Sequence, residues 1–133
     1  MVSSHDRPDD RKRKGNIAED IAAYYLEQQG YTIVQRNWRC RSGELDIIAT
    51  ELNECTTAPA IIVVEVRSRA SDTHGTAAES IDWRKRKQIR ETTSVYAHQN
   101  GLSGYAFRYD VITVQLNRHY QAIHMEHWIK AFV

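Results

Sequence analysis

The chain has 133 residues, near the commonest size of a single domain and enough to bury a core. Hydrophobic residues make up 41% of it and charged ones 26%, which excludes wholesale disorder, and the longest aliphatic run, Ile61-Ile62-Val63-Val64, is far short of the roughly 20 apolar residues a membrane helix needs. Net charge is only +1, from 18 Lys and Arg against 17 Asp and Glu, so a nucleic-acid surface would have to come from local basic clusters.

In chain order, residues 1–14 are polar and basic with almost no apolar content, and a disordered basic tail is expected there. The same stretch carries no apolar signal core, so the expected location is cytoplasmic, with no membrane partner. From Asn16 the spacing predicts a helix: Ile17, Ala18, Ile21, Ala22, Tyr25 and Leu26 form one stripe, and Gly30 ends it. Strands are predicted over Tyr31–Arg36 and over Glu44–Thr50, the latter with Leu45 and Ile47 on one side. A hairpin loop follows over Leu52–Pro59. Ala60–Arg69, aliphatic on both faces at first, reads as a central strand. After a turn at Ser71–Gly75, Thr76 and Glu79 form a capping box that opens a helix running to about His98. Tyr105–Leu116 and Tyr120–Met125 read as two further strands, with an amphipathic tail from Glu126 to Phe132. The order αβββαββ predicts a single α/β domain over 15–133, a mixed sheet flanked by helices.

Functional candidates are polar groups where the local pattern wants apolar ones. Glu19 has Ala22, Ala23 and Leu26 at i+3, i+4 and i+7, so it is either turned toward the packed face or an acid favoured by an early helical turn. Glu44 and Asp46 alternate with Leu45, so they share a face; that face is a solvated edge or a pair of carboxylates that repel unless a cation bridges them. In Glu65-Val66-Arg67-Ser68-Arg69 an aliphatic strand face turns into an acid and two bases, at a strand end where α/β sheets place ligands. Lys85 interrupts the helical stripe Ala78, Ile81, Ile89, Thr92 and Tyr96, and either snorkels out or points into an acidic site. Together these carboxylates could hold a hard divalent cation such as Mg²⁺, with bases at hand for phosphate. Arg39, Arg41, Arg69, Arg84, Arg86 and Lys87 are the candidates to contact nucleic acid, and Trp83 beside the last cluster is a candidate for stacking on a base. Arg108 and Asp110 share a face and suit a structural salt bridge. His124 and His127 are read as structural or surface residues, and Cys40 and Cys55 are too few for a disulfide framework or a zinc site.

From Gly15 to Phe132 the chain resembles the YraN family of endonuclease-like bacterial proteins, within the PD-(D/E)XK nuclease superfamily. The resemblance rests on Gly15, Glu19, Gly30-Tyr31, Asn37, Gly43-Glu44-Leu45-Asp46-Ile47-Ile48-Ala49, Val64-Glu65-Val66-Arg67-Ser68-Arg69, Gly75, Lys85, Arg108-Tyr109-Asp110-Val111 and Ile129-Lys130-Ala131-Phe132. It implies a restriction-endonuclease-like fold and hydrolysis of phosphodiester bonds with Mg²⁺ or Mn²⁺. Asp46 and Glu65 would be the metal-binding pair, Glu19 would complete the acidic cluster, and Glu44 would be an auxiliary acid. Arg67 stands where the superfamily has a lysine. Arginine is effectively never deprotonated, so it cannot act as a base; Lys85 could supply the ammonium. Structured or branched DNA is the substrate that the likeness to Holliday-junction resolvases implies, and a homodimer would suit two-fold symmetric DNA. The alternative is a nuclease-fold module without catalysis that binds nucleic acid or protein.

Overall fold

The computed structural model describes residues 8–51, 60–69 and 81–133. Their order is α1 (Pro8–Gln28), β1 (Tyr31–Cys40), β2 (Gly43–Glu51), β3 (Ala60–Arg69), α2 (Trp83–Gln99), β4 (Phe107–Leu116) and β5 (Ala122–Phe132), the expected αβββαββ succession. The predicted loop at 52–59, the turn at 71–75 and the Thr76/Glu79 capping box lie outside the described residues, as does Cys55.

The five strands form one mixed sheet in the order β1-β2-β3-β4-β5. All neighbours are antiparallel except β3 and β4, which run parallel and therefore need the crossover that carries α2. Alternation along β3 then sorts the core into two layers. Ile62 and Val64 pack with Ile47, Ala49 and the α1 stripe of Ala18, Ala22 and Leu26. Ile61 and Val63 pack on the other face with Ile48, Ile89 and Tyr96. Each such aliphatic side chain taken from water contributes about 1.5–3 kcal/mol, which makes β3 the axis of the molecule. The architecture is the mixed α/β sandwich expected from the sequence and is consistent with a nuclease-like fold.

Several boundaries differ from expectation, and β1 runs on to Cys40, four residues past the predicted end at Arg36. Residues 8–14, assigned to the tail, are already helical. Pro8 suits the first helical position, Asp9 and Asp10 suit the helix N-terminus electrostatically, and Lys14 pairs with Asp10 at 3.4 Å one turn away. α2 is described from Trp83, capped by Asp82, whose carboxylate accepts from the Lys85 amide at 2.9 Å. The tail expected over Glu126–Phe132 is instead the second half of β5, an edge strand whose polar and apolar residues mimic a helical pattern over so short a span.

Candidate active site

β1 and β2 stay paired as far as Cys40↔Gly43, and β3 and β4 as far as Arg69↔Gln115, but β2 and β3 stop pairing at Ile47↔Val64. The sheet therefore forks, and Asp46 on one prong faces Glu65 on the other. Asn37 lies opposite Asp46 in the register, and its φ of 53° is a left-handed conformation that asparagine tolerates better than most residues. The twist there breaks the alternation expected of β2. Leu45 turns to the α2 side beside Trp38, while Ile47 keeps to the α1 side.

Across the fork the Val66 amide donates to Asp46 Oδ2 at 2.8 Å, replacing the lost strand pairing with a backbone-to-side-chain bond. The Asp46 and Glu65 carboxyl groups face each other closely enough for each to act on the other's charge. Burial first, and the Glu65 charge second, push Asp46 up to about 7, with Glu44 adding to the rise. Glu65 is buried, and its Oε1 lies 3.6 Å from Lys85 Nζ and 3.8 Å from Arg67 Nε. Lys85 thus points toward the acids, the second of the two orientations that the sequence left open.

Glu19 comes to the same region from α1, only 8% exposed. Burial and the nearby Asp46 raise its pKa, opposed by Arg36 and Asn37. Its Oε1 accepts from Asn37 Nδ2 at 2.8 Å and from Arg36 Nε at 3.2 Å, and Arg36 also pairs with Asp20 at 2.6 Å. Among the described residues no three His, Cys, Asp or Glu side chains are gathered as metal ligands. The acids instead divide into an Asp46–Glu65 pair across the fork and a Glu19 held by cation and amide. Arg36 and Asn37 were not singled out as site residues, because their role comes from a helix–strand contact that no local pattern encodes. The presence of Asn37 among the residues that carry the family resemblance was the available hint.

The basic candidates separate. Arg67 and Lys85 belong to the fork. Arg86 does not offer a free charge: its Nε donates to the Ile81 carbonyl at 2.8 Å and its guanidinium sits 5.6 Å from the Phe132 ring, so it ties α2 to β5. Arg39 pairs with Glu44 at 3.4 Å, and Arg41 is exposed in the β1–β2 turn. That turn is docked on α2: Gln88 Nε2 donates to the Ser42 carbonyl at 3.1 Å, and a side chain at Gly43 would meet Gln88 and Thr92 at 3.0 and 3.1 Å. The basic hairpin tip and the first turns of α2 are thereby one surface. Lys87 is exposed there, with Glu91 at 3.8 Å, and Arg84 lies over Trp83. Arg69 closes β3 half-buried.

A second polar cluster lies at the opposite end of the sheet. Arg108 clasps the fully buried Asp110 with two bonds of 2.9 Å, the salt bridge expected, and extends it to Glu51 at 2.9 Å and the Tyr31 hydroxyl at 2.8 Å. His127 bridges Asp110 at 2.8 Å and the Tyr25 hydroxyl at 2.9 Å, linking β4, β5 and α1. These hydrogen bonds, together with the Arg108 charge, overcome burial and hold Asp110 below the usual carboxylate range. His124 is exposed and pairs with Glu126, so the two histidines do not converge.

The model of the uncharacterised protein family UPF0102 matches residues 18–114, from α1 through β4. A UPF0102 protein of Moorella thermoacetica is 44% identical over 108 residues, covering 81% of this chain and 85% of that one. One from Pelotomaculum thermopropionicum is 37% identical over 124 residues, covering 93% and 98%. Another from Clostridium acetobutylicum is 43% identical over 106 residues, covering 80% and 82%. No helix among the described residues is long and apolar enough to cross a membrane.

Proposed function

The chain belongs to the UPF0102 (YraN) family, and from its forked sheet we propose that it is a metal-dependent nuclease that hydrolyses phosphodiester bonds, acting in the cytoplasm on DNA. The observation that carries this is the Asp46–Glu65 pair: a half-buried and a buried carboxyl group brought together across the fork, with the Asp46 pKa pushed up to about 7 and Lys85 3.6 Å from Glu65. Such crowding is costly unless a cation replaces the proton. Hard oxygen ligands, one or two of them carboxylates, are what Mg²⁺ and Mn²⁺ accept. Bound there, the ion would supply Lewis-acid charge to the phosphate and lower the pKa of water.

The remaining roles belong to the chain. Asp46, once deprotonated, is fixed by the Val66 amide and needs no reorganisation to present its second oxygen. Lys85 and Arg67 offset the charge that develops on the phosphate. The Arg67 Nε is buried and has no hydrogen-bond partner among the described residues, a donor that a phosphate oxygen would satisfy. Arg67 stays charged throughout, so in this chain it steadies charge and does not move a proton. Glu19, held by Arg36 and Asn37, sets the charge behind Asp46. Recognition is through phosphate and shape, with Arg41, Arg39, Arg84, Lys87 and Arg69 as the contacting bases.

A non-catalytic binding module is the competing function, favoured by Arg67 at the lysine position and by the ion pairs already made to Glu65. Titration with Mn²⁺ in a calorimeter separates the two. A nuclease binds the ion in the wild-type protein and loses that binding in both Asp46→Asn and Glu65→Gln. A pseudo-nuclease shows no such binding and holds DNA equally in Mg²⁺ and in chelator.

A further inference from the structure

Trp83 opens α2 and is 67% exposed, although a tryptophan side chain carries more apolar surface than any other. The other two tryptophans are partly buried: Trp38 lies edge-on to Tyr96 at 5.2 Å, and Trp128 packs against the α2-side core. Trp83 is therefore not needed for the core. The Arg84 guanidinium lies 5.4 Å from its ring centroid, Lys87 is one helical turn further on, and no acid follows on the helix until Glu91. Asp82, just before it, is engaged in capping the helix. Two residues beyond Trp83, Lys85 reaches Glu65 in the fork. The two side chains leave the first turn of α2 on different sides. They are separated by about the width of a helix, 10–12 Å with side chains, which a nucleic-acid strand crosses within a few nucleotides.

We propose that Trp83, with Arg84, is a stacking platform for an unpaired base, so that the substrate is nucleic acid with a single-stranded segment beside the phosphate held at the fork. This rests on the nuclease reading of the fork and specifies its substrate class. A base pair inside a duplex has both faces covered by its neighbours and offers no ring to Trp83, whereas an unpaired base does. Aromatic stacking of this kind is tolerant of sequence, which fits a site without base-edge readers. The positive charges of Arg84 and Lys87 favour the same occupant over an apolar protein surface.

The test compares wild type, Trp83→Ala and Trp83→Phe, in chelator, against a fluorescein-labelled blunt duplex and the same duplex with an unpaired thymidine tail. Wild type should bind the tailed form more tightly and show quenched tryptophan fluorescence on binding. Trp83→Ala should weaken tailed binding roughly 5- to 150-fold, equivalent to the ~1–3 kcal/mol of one base stack, should leave blunt-duplex binding within a few-fold, and should lose the quench. Trp83→Phe should recover much of the affinity. Trp83 is exposed, so neither variant removes a core contact, and circular dichroism checks the fold. Equal affinity of wild type and Trp83→Ala for the tailed DNA overturns the inference; with Mg²⁺-dependent cleavage intact, the nuclease reading survives. A fall in oligomeric mass on Trp83→Ala with DNA affinity unchanged assigns the residue to a protein contact and overturns it too. Absence of nucleic-acid binding by wild type overturns both together.

Discussion

Removing the charge of Asp46 should stabilise the protein at alkaline pH, although it removes a group proposed to be essential for activity. In the native chain Asp46 holds its proton to about 7, against 3.8 as the ordinary value. Between these limits the unfolded chain has released a proton that the native pair still holds. Native stability therefore falls as pH rises from about 4 through 7 and is level above that. Three units at about 1.36 kcal/mol each set a ceiling of about 4 kcal/mol on the penalty. Lys85 and Arg67 beside Glu65 offset part of it, and the fork is partly open to water, so about 1–3 kcal/mol is expected at pH 8. Asp46→Asn keeps an acceptor for the Val66 amide and faces Glu65 with a neutral group in place of a carboxylate. At about 4 °C per kcal/mol for a chain of this length, the variant should melt about 4–12 °C higher than wild type at pH 8 in chelator, with the advantage shrinking toward pH 4. Thermal unfolding followed by circular dichroism at pH 4.5, 6 and 8 measures this. Added Mg²⁺ should then raise the wild-type melting temperature and leave the variant unmoved. An Asp46→Asn variant that is less stable than wild type by the same amount at every pH would show that no crowded acid pair exists.

Lys85→Met should lower the cleavage rate by about 10²–10³-fold while changing DNA affinity only a few-fold, as expected for a charge used chiefly in the transition state; single-turnover kinetics measure it. Asp110→Ala should leave Arg108 buried without its main partner and cost about 3–5 kcal/mol by urea titration. Asp110 has the opposite pH dependence to Asp46. Its depressed native pKa contributes stability that is present above about pH 4 and lost as pH falls through the native value, so the acid limb of the wild-type profile should be missing in Asp110→Asn. Gly43→Ala meets Gln88 and Thr92 at a φ of 152°, where a side chain is strained. It should cost about 1–3 kcal/mol by the same titration and weaken DNA binding by loosening the hairpin tip from α2.

The parts of the fold written in apolar periodicity were legible. Ala60–Arg69 needed no tertiary information, since only a strand buried on both faces reads as an uninterrupted aliphatic run that ends in charge. The α1 stripe followed from helical spacing in the same way, whereas Lys85 was open to either orientation and only its contact with Glu65 decides it. What stayed hidden depends on contacts across the sheet. The first two turns of α1 carry no apolar signal, and β5 lies at an edge where alternation is weak. The fork itself arises from Asn37 and from the point where β2 and β3 part, neither of which is a composition feature. Arg86 looked like its basic neighbours, and its contacts with the Ile81 carbonyl and Phe132, which tie it to β5, are visible only in the fold. His127 was read as structural or surface, and its buried bridge between Asp110 and Tyr25 supports the structural role.

Cleavage of an end-labelled DNA panel, single-stranded, tailed, branched and blunt, by wild type, Asp46→Asn and Glu65→Gln is the most direct test. The fork as a metal-dependent active site predicts products with wild type in Mg²⁺ or Mn²⁺, none in chelator, and loss of at least about 10²-fold in both variants while they remain folded. Cleavage that persists in either folded variant, or a wild type that binds these DNAs and cuts none of them in either metal, would contradict it.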